Sequence, residues 1–151
     1  MREWCEGREA FEATDRRACP IPGDPMKRQA IQAGGAVSVG PYSHAVRAGQ
    51  FLYLSGQTPL DPGTGRLLEG GIQEQTRQCF HNLFAVLEAA GLGPGHVVKV
   101  NVFLTNMEDF AAMNEVYAAQ FEQPFPARTT IGVASLPLGA RIEIEMVALD
   151  G

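Results

Sequence analysis

The chain reads as an α+β fold, a mixed sheet carrying two helices on one side, and three patterns predict it. Apolar residues Ile72, Cys79, Leu83, Val86, Leu87 and Ala90 recur at helical spacing, which marks an amphipathic helix with one face toward a core. Alternating or β-branched runs at residues 50–58, 97–104, 129–133 and 141–146 have strand character. Their order with a second helical stretch is strands, helix, strand, helix, strands, which suits a layered sheet and helix arrangement.

The elements follow in chain order. Residues 1–25 are charged, end in Cys19-Pro20-Ile21-Pro22-Gly23-Asp24-Pro25 and lack the continuous apolar core of a secretory signal, so they read as a poorly ordered extension. Met26-Lys27-Arg28 resembles a natural beginning, and residues 26–151 read as one domain. Residues 36–39 and 43–48 are short strand candidates, and 50–58 is a stronger one in which Phe51, Leu52, Tyr53 and Leu54 form a buried run. Asp61-Pro62-Gly63-Thr64-Gly65 is turn chemistry. Gly91 stands where a left-handed cap would end the first helix. In 97–104, Val98, Val100, Val102 and Leu104 are expected on one side, with Lys99 and Asn101 opposite. Thr105 and Glu108 have capping-box spacing, opening a helix to about Gln120 whose Phe110, Met113 and Tyr117 share a face. Such a sheet leaves one face bare, and Leu136, Met146 and the apolar strand residues point to self-association as its cover.

Composition excludes several functions. The formal charge is −5 over 151 residues, and no window combines Lys and Arg with aromatics, so a nucleic-acid groove has little support. No apolar run approaches the roughly 20 residues of a membrane span. Cys5, Cys19 and Cys79 form neither a disulfide framework nor a metal spacing, which suits a reducing cytoplasm, and Cys79 reads as a small core residue. His44, His81 and His96 match no ligand motif. The glycines from Gly91 to Gly95 follow a helix instead of opening one, so they read as a helix stop and not a phosphate loop.

The densest pattern lies near the end. Prolines at Pro124 and Pro126 interrupt whatever precedes, and Arg128 then sits at a strand entrance, with Glu143 downstream on the returning strand. A guanidinium is always charged and forks onto planar carboxylates, while a carboxyl can hold and activate water. Together they could hold a small carboxylate beside a water-handling acid. Taken alone, Arg128 also fits a structural ion pair and Glu143 a solvated strand face shared with Arg141 and Glu145. Likewise Tyr42 fits a turn aromatic, and Ser55-Gly56 a bulge.

Gly40-Pro41-Tyr42, Ser55-Gly56-Gln57, the turn at Asp61 to Gly65, Glu88-Ala89-Ala90-Gly91-Leu92, Phe103, Phe110, Asn114, Tyr117, Pro126-Ala127-Arg128 and Ile142-Glu143-Ile144-Glu145 occur in one order across roughly residues 30–149. Together they resemble the Rid family, also called YjgF, in its RidA branch. The resemblance implies a chorismate-mutase-like fold, a mixed six-stranded sheet with two helices packed on one face, assembled as a homotrimer with sites in the clefts between subunits. It implies enamine/imine deamination of 2-aminoacrylate and 2-aminocrotonate released by pyridoxal-phosphate enzymes, with no cofactor and no metal. By the same resemblance Arg128 pairs with the substrate carboxylate, Glu143 orients or activates water, and Tyr42 and Ser55 line the cleft. Gly56 and Asn114 lie near it, and backbone around Thr130 helps hold the ligand. Many RidA proteins carry cysteine where this chain has Thr130, which argues against thiol chemistry here.

Two other functions stay open at this level. One is a noncatalytic sensor or binder of small 2-oxo acids using the same cleft. The other is an endoribonuclease, an activity attached to some relatives, which the acidic balance disfavours.

Overall fold

Strand β6 (Ile142–Leu149), last in the chain, lies near the middle of the sheet. In the computed structural model, residues 28–34 and 40–151 are described. They form β1 (Gln29–Ile31), β2 (Ala45–Ala48), β3 (Phe51–Gln57), helix α1 (Ile72–Ala89), β4 (Val97–Leu104), helix α2 (Phe110–Ala118), β5 (Ala127–Gly132) and β6. The extension expected over residues 1–25 and the strand expected at 36–39 lie outside the described residues. β1 was not anticipated; it pairs antiparallel with β2, Ala30 opposite Val46.

The six strands run in the order β1-β2-β3-β6-β4-β5. All neighbours are antiparallel except β4 and β5, which are parallel and joined through α2. A parallel pair needs such a crossover, because a tight hairpin cannot reverse the chain twice. Both helices pack on one layer, α1 against β3 and β6, and α2 against α1. The core between them holds Leu52 and Leu54 of β3, Val100, Val102 and Leu104 of β4, and Ile142, Ile144 and Met146 of β6, facing Cys79, Phe80, Leu83, Val86 and Leu87 of α1. Each large apolar side chain so buried contributes about 1.5–3 kcal/mol relative to exposure.

Helix α1 ends as its glycine predicts. Gly91 has φ +78°, its N–H donates to the Glu88 carbonyl, and the Leu92 N–H reaches back to the Leu87 carbonyl, both at 2.9 Å. In the turn after β3, the Asp61 Oδ1 accepts from the Gly63 N–H at 2.7 Å.

Four local expectations need correction. Phe51 and Tyr53 are exposed while Leu52 and Leu54 are buried, so β3 alternates and is not buried throughout. A register shift between Val97 and Lys99 buries Val97 and turns Val98 outward. Thr105 does not cap α2: the Asn106 side chain accepts from the Glu108 N–H at 3.0 Å, opening a 3₁₀ turn over Met107–Asp109 ahead of the helix. Met146 is core, so the open face is carried by other residues, among them Phe51, Tyr53, Ile131 and Leu149.

Candidate active site

The anticipated residues fall into two groups on opposite faces of the sheet. Arg128 is the second residue of β5 and lies in register with Val100, which is fully buried on the helix side. Strand alternation therefore sends its side chain toward α2. There Phe110, Asn114 and Tyr117, spaced i, i+4 and i+7, stand on one helix face. The Arg128 Nη1 donates to Asn114 Oδ1 at 2.7 Å. Its guanidinium carbon lies 4.4 Å from the Tyr117 ring centroid and 5.7 Å from that of Phe110. Rings supply about 0.5–2 kcal/mol to a cation each, and an amide oxygen accepting from a charged donor about 1.5–3 kcal/mol.

None of these partners is negative. Among the described residues no carboxylate pairs with Arg128, whereas Arg47 and Arg141 each have one. The guanidinium is held in place with its charge unneutralised, on the wall of a cavity of about 300 Å³ shared with Asn114, Tyr117, Phe125 and Pro126. Tyr117 is fixed from behind by ring contacts to Phe80 and Phe121 at 5.8 and 5.2 Å. Burial pushes the Tyr117 phenol up, partly opposed by the Arg128 charge, and among the described residues its hydroxyl has no hydrogen-bond partner. Thr130, next but one along β5, shares the face of Arg128 and has a buried, unpartnered Oγ1.

The second group is built around a break in β3. The register with β6 slips between Leu54 and Gln57, so Ser55 and Gly56 form a bulge. The Ser55 N–H donates to the His44 carbonyl at 2.9 Å and its Oγ to the Ser43 carbonyl at 2.7 Å. The buried His44 ring is pinned in turn, its Nδ1 accepting from the Ala33 N–H at 3.2 Å. Tyr42 precedes it, edge-on to the His44 ring at 6.4 Å.

Glu143 alternates with the fully buried Ile142 and Ile144, so its carboxyl leaves β6 on the face away from the core. It settles onto Gly56, where a Cβ would overlap the carboxyl and come within 2.9 Å of its Cδ. Burial raises the Glu143 pKa first, and the nearby Glu145 carboxylate adds to the shift. Glu145 is not simply solvated, since it accepts from Asn101 Nδ2 at 2.7 Å. Tyr42, Ser55, Gly56 and Glu143 line one cavity of about 290 Å³ together with Thr58, Leu60, Pro137 and Leu138.

Arg128 and Glu143 therefore do not share a cavity within one chain. The reading of them as neighbours on returning strands fails because β6 inserts between β3 and β4, while β5 pairs with β4 at the far edge. Sequence reading placed Phe110 and Tyr117 on one helix face without assigning them to the arginine; Asn114 between them, at i+4, was the available signal. Leu60, Pro137 and Leu138 carried no such signal. A larger cavity of about 590 Å³ opens between the Pro94–His96 turn and residues 121–124 and contains none of the anticipated residues.

The family model described as Endoribonuclease L-PSP matches residues 33–150. The chain belongs to the Rid (YjgF) family. Within that family, the human 2-iminobutanoate/2-iminopropanoate deaminase is 45% identical over 126 residues, 83% of this chain and 92% of its own. RidA from the Antarctic bacterium Psychrobacter sp. is 46% identical and superposes with a TM-score of 0.77 over 81% of this chain and 99% of that one. Escherichia coli TdcF with bound serine is 36% identical, with a TM-score of 0.77 over 82% of this chain and 99% of its own. The six-stranded mixed sheet with two helices is common to this Rid chain and its structural neighbours.

Proposed function

We propose that this Rid protein is a 2-iminobutanoate/2-iminopropanoate deaminase, acting on the enamines 2-aminoacrylate and 2-aminocrotonate and their imines in the cytoplasm. The observation that carries the reading is Arg128: a guanidinium fixed by an amide oxygen and two rings, with no carboxylate partner among the described residues. Such a group is ready for a small carboxylate, and a bidentate pair orients as well as binds. The human relative carries the deaminase name at 45% identity, and TdcF was solved with serine, itself a small carboxylate.

The acid half-site supplies the chemistry. The enamine accepts a proton at carbon and becomes the imine; water adds to the C=N carbon; the C–N bond breaks and ammonia leaves, giving a 2-oxo acid. A half-buried Glu143 with raised proton affinity can give the first proton and then take one from the attacking water. Ser55 and Tyr42 offer hydroxyls to hold that water or the departing nitrogen. Asn114 fixes Arg128, while Gly56 and the backbone at Thr130 leave room for ligand. Residues 26–151 act as one domain in this reading, and no step uses a metal or cofactor.

The two half-sites lie on opposite sheet faces, so the reading includes a chorismate-mutase-like homotrimer in which Arg128 of one copy meets Glu143 of its neighbour. The open face bearing Phe51, Tyr53, Ile131 and Leu149 is the surface to be covered. The endoribonuclease activity that names the family model would act on RNA, for which a net charge of −5 offers no electrostatic support.

The test is 2-oxobutyrate formation from threonine by a threonine dehydratase, with semicarbazide present to trap unprotected imine. Wild type should accelerate oxo-acid release and Arg128→Ala should not. Equal rates with and without a folded wild type would leave a binder of 2-oxo acids, recognised by saturable 2-oxobutyrate binding without turnover.

A further inference from the structure

Leu138 is the one non-glycine residue among the described residues with positive φ, at φ 60° and ψ 11°. Leucine rarely takes this conformation, because its Cβ crowds the backbone there. It is also the most exposed large apolar side chain described, at 59%. Neither property helps the fold. The turn around it is nonetheless well held: the Gly139 N–H donates to the Leu136 carbonyl at 3.2 Å, the Ala140 N–H to the Pro137 carbonyl at 3.1 Å, and Ala140 is buried. A closed turn thus presents an unfavourable residue at one definite place, the wall of the Glu143 cavity. Strain held by its surroundings is a common mark of a ligand-facing position.

The cavity lining is mixed. Tyr42, Ser55, Thr58 and Glu143 bring polar side chains to the lining, whereas Leu60, Pro137 and Leu138 bring apolar ones. A 2-imino acid has three substituent directions at its reacting carbon: the carboxylate, the nitrogen and the side chain. With the carboxylate on Arg128 and the C=N carbon beside Glu143, the side chain is left for the apolar part of the lining. The volume, about 290 Å³, approaches the lower bound of roughly 300 Å³ for sites that hold drug-sized ligands, which is generous for a methyl or ethyl group.

We infer that Leu138, with Leu60 and Pro137, forms the subsite for the substrate side chain, and that this chain favours imines bearing branched or straight four-carbon aliphatic side chains over the methyl-bearing imine. The inference rests on the deaminase reading and adds its specificity. An L-amino-acid oxidase with catalase converts alanine or leucine to the corresponding imine, using dioxygen as oxidant, and semicarbazide reports the imine that survives. For wild type, kcat/KM for the leucine-derived imine should exceed that for the alanine-derived imine by about tenfold, modest beside enclosed pockets because this one is open on a side. Leu138→Gly and Leu138→Asn both tolerate positive φ, so each removes the apolar contact without new backbone strain. Each should lower that ratio about fivefold. A wild-type ratio at or below one, or a ratio unmoved in both variants while the alanine-derived imine is still accelerated, overturns the subsite and leaves the deaminase standing. Acceleration of neither imine by wild type removes the deaminase reading itself, and the subsite with it.

Discussion

The Arg128 and Glu143 half-sites are built by different means. Arg128 projects from a regular strand onto a regular helix, and its charge is fixed by Asn114 and two rings that are themselves packed. Glu143 also starts on a regular strand, but its surroundings are irregular: a bulge at Ser55-Gly56, the loop before β2, and a turn holding a left-handed leucine. The lesson is a division of labour. In the proposed deaminase, a binding charge must stay where it is, and regular elements hold Arg128; a proton-handling group must change state, and burial and a neighbouring charge raise the proton affinity of Glu143.

Removing the fixed charge should do the most damage. Arg128→Ala deletes the carboxylate's partner and is expected to lower kcat/KM by a hundredfold or more, on the order of 3 kcal/mol, mainly through KM. Because no described carboxylate pairs with Arg128, the variant strands no buried acid, and its thermal midpoint should fall by no more than the lost Asn114 and ring contacts account for. A large fall in midpoint alongside the lost activity would mean that the arginine is structural.

Glu143→Gln should cost about a hundredfold, chiefly in kcat, at the low end for acid and base assistance. Here the two half-sites diverge in stability as well. The folded-state pKa of Glu143 is raised above its unfolded value, so between the two values the folded state binds more protons than the unfolded one. Stability from this group is fully present below the unfolded pKa and is lost as pH rises through the folded pKa. At neutral pH the neutral isostere should therefore be at least as stable as wild type while nearly inactive. With an imine as substrate, where Glu143 serves first as base, the acid limb of wild-type kcat/KM should lie above the usual carboxylate range, and Glu145→Gln should move it to lower pH. An acid limb unmoved by Glu145→Gln would show that burial alone sets the shift.

Gly56→Ala attacks the same carboxyl through its surroundings. The new Cβ would occupy the place of the Glu143 carboxyl, which must then swing aside. Misplacement by about an ångström can cost up to 10²-fold, so a tenfold or somewhat larger loss in kcat is expected, with KM little changed because Arg128 is untouched. Steady-state kinetics on 2-aminocrotonate checks it, and a loss confined to KM would place Glu143 outside the chemistry.

How much of this was legible follows from the same contrast. α1 and its Gly91 stop could be read from periodicity and one residue type, because local rules determine both. The candidate site residues could be named through the resemblance of their motifs to the Rid family; taken alone, Arg128 also fits a structural ion pair and Glu143 a solvated strand face. Their partition between two faces was not readable. It depends on register: Arg128 pairs with the buried Val100 on β4, whereas Glu143 alternates with the buried Ile142 and Ile144, and the β4–β5 pairing is long-range and encoded by no local pattern. The exposure of Val98 and the capping role of Asn106 were hidden for a smaller reason: a one-residue register shift at Lys99 and a 3₁₀ turn before α2 each displace a local rule by one position. Leu138 was unreadable because positive φ in a leucine is imposed by the closing turn and is not a leucine preference.

The smallest effect separates the ring of Tyr117 from its hydroxyl. The ring carries the 4.4 Å contact to the Arg128 guanidinium, while the hydroxyl is buried with no partner among the described residues. Tyr117→Phe keeps the first and removes the second. If the Arg128 pocket is a neutral cage, kcat/KM should change by no more than about twofold, and the thermal midpoint should hold or rise, since an unsatisfied buried hydroxyl costs about 1 kcal/mol or more. Tyr117→Leu, which deletes the ring, should raise KM several-fold by loosening the guanidinium. A tenfold loss in the Phe variant would reverse the assignment: the hydroxyl would then be a ligand contact waiting for its partner, and the arginine half-site would do more than hold a charge.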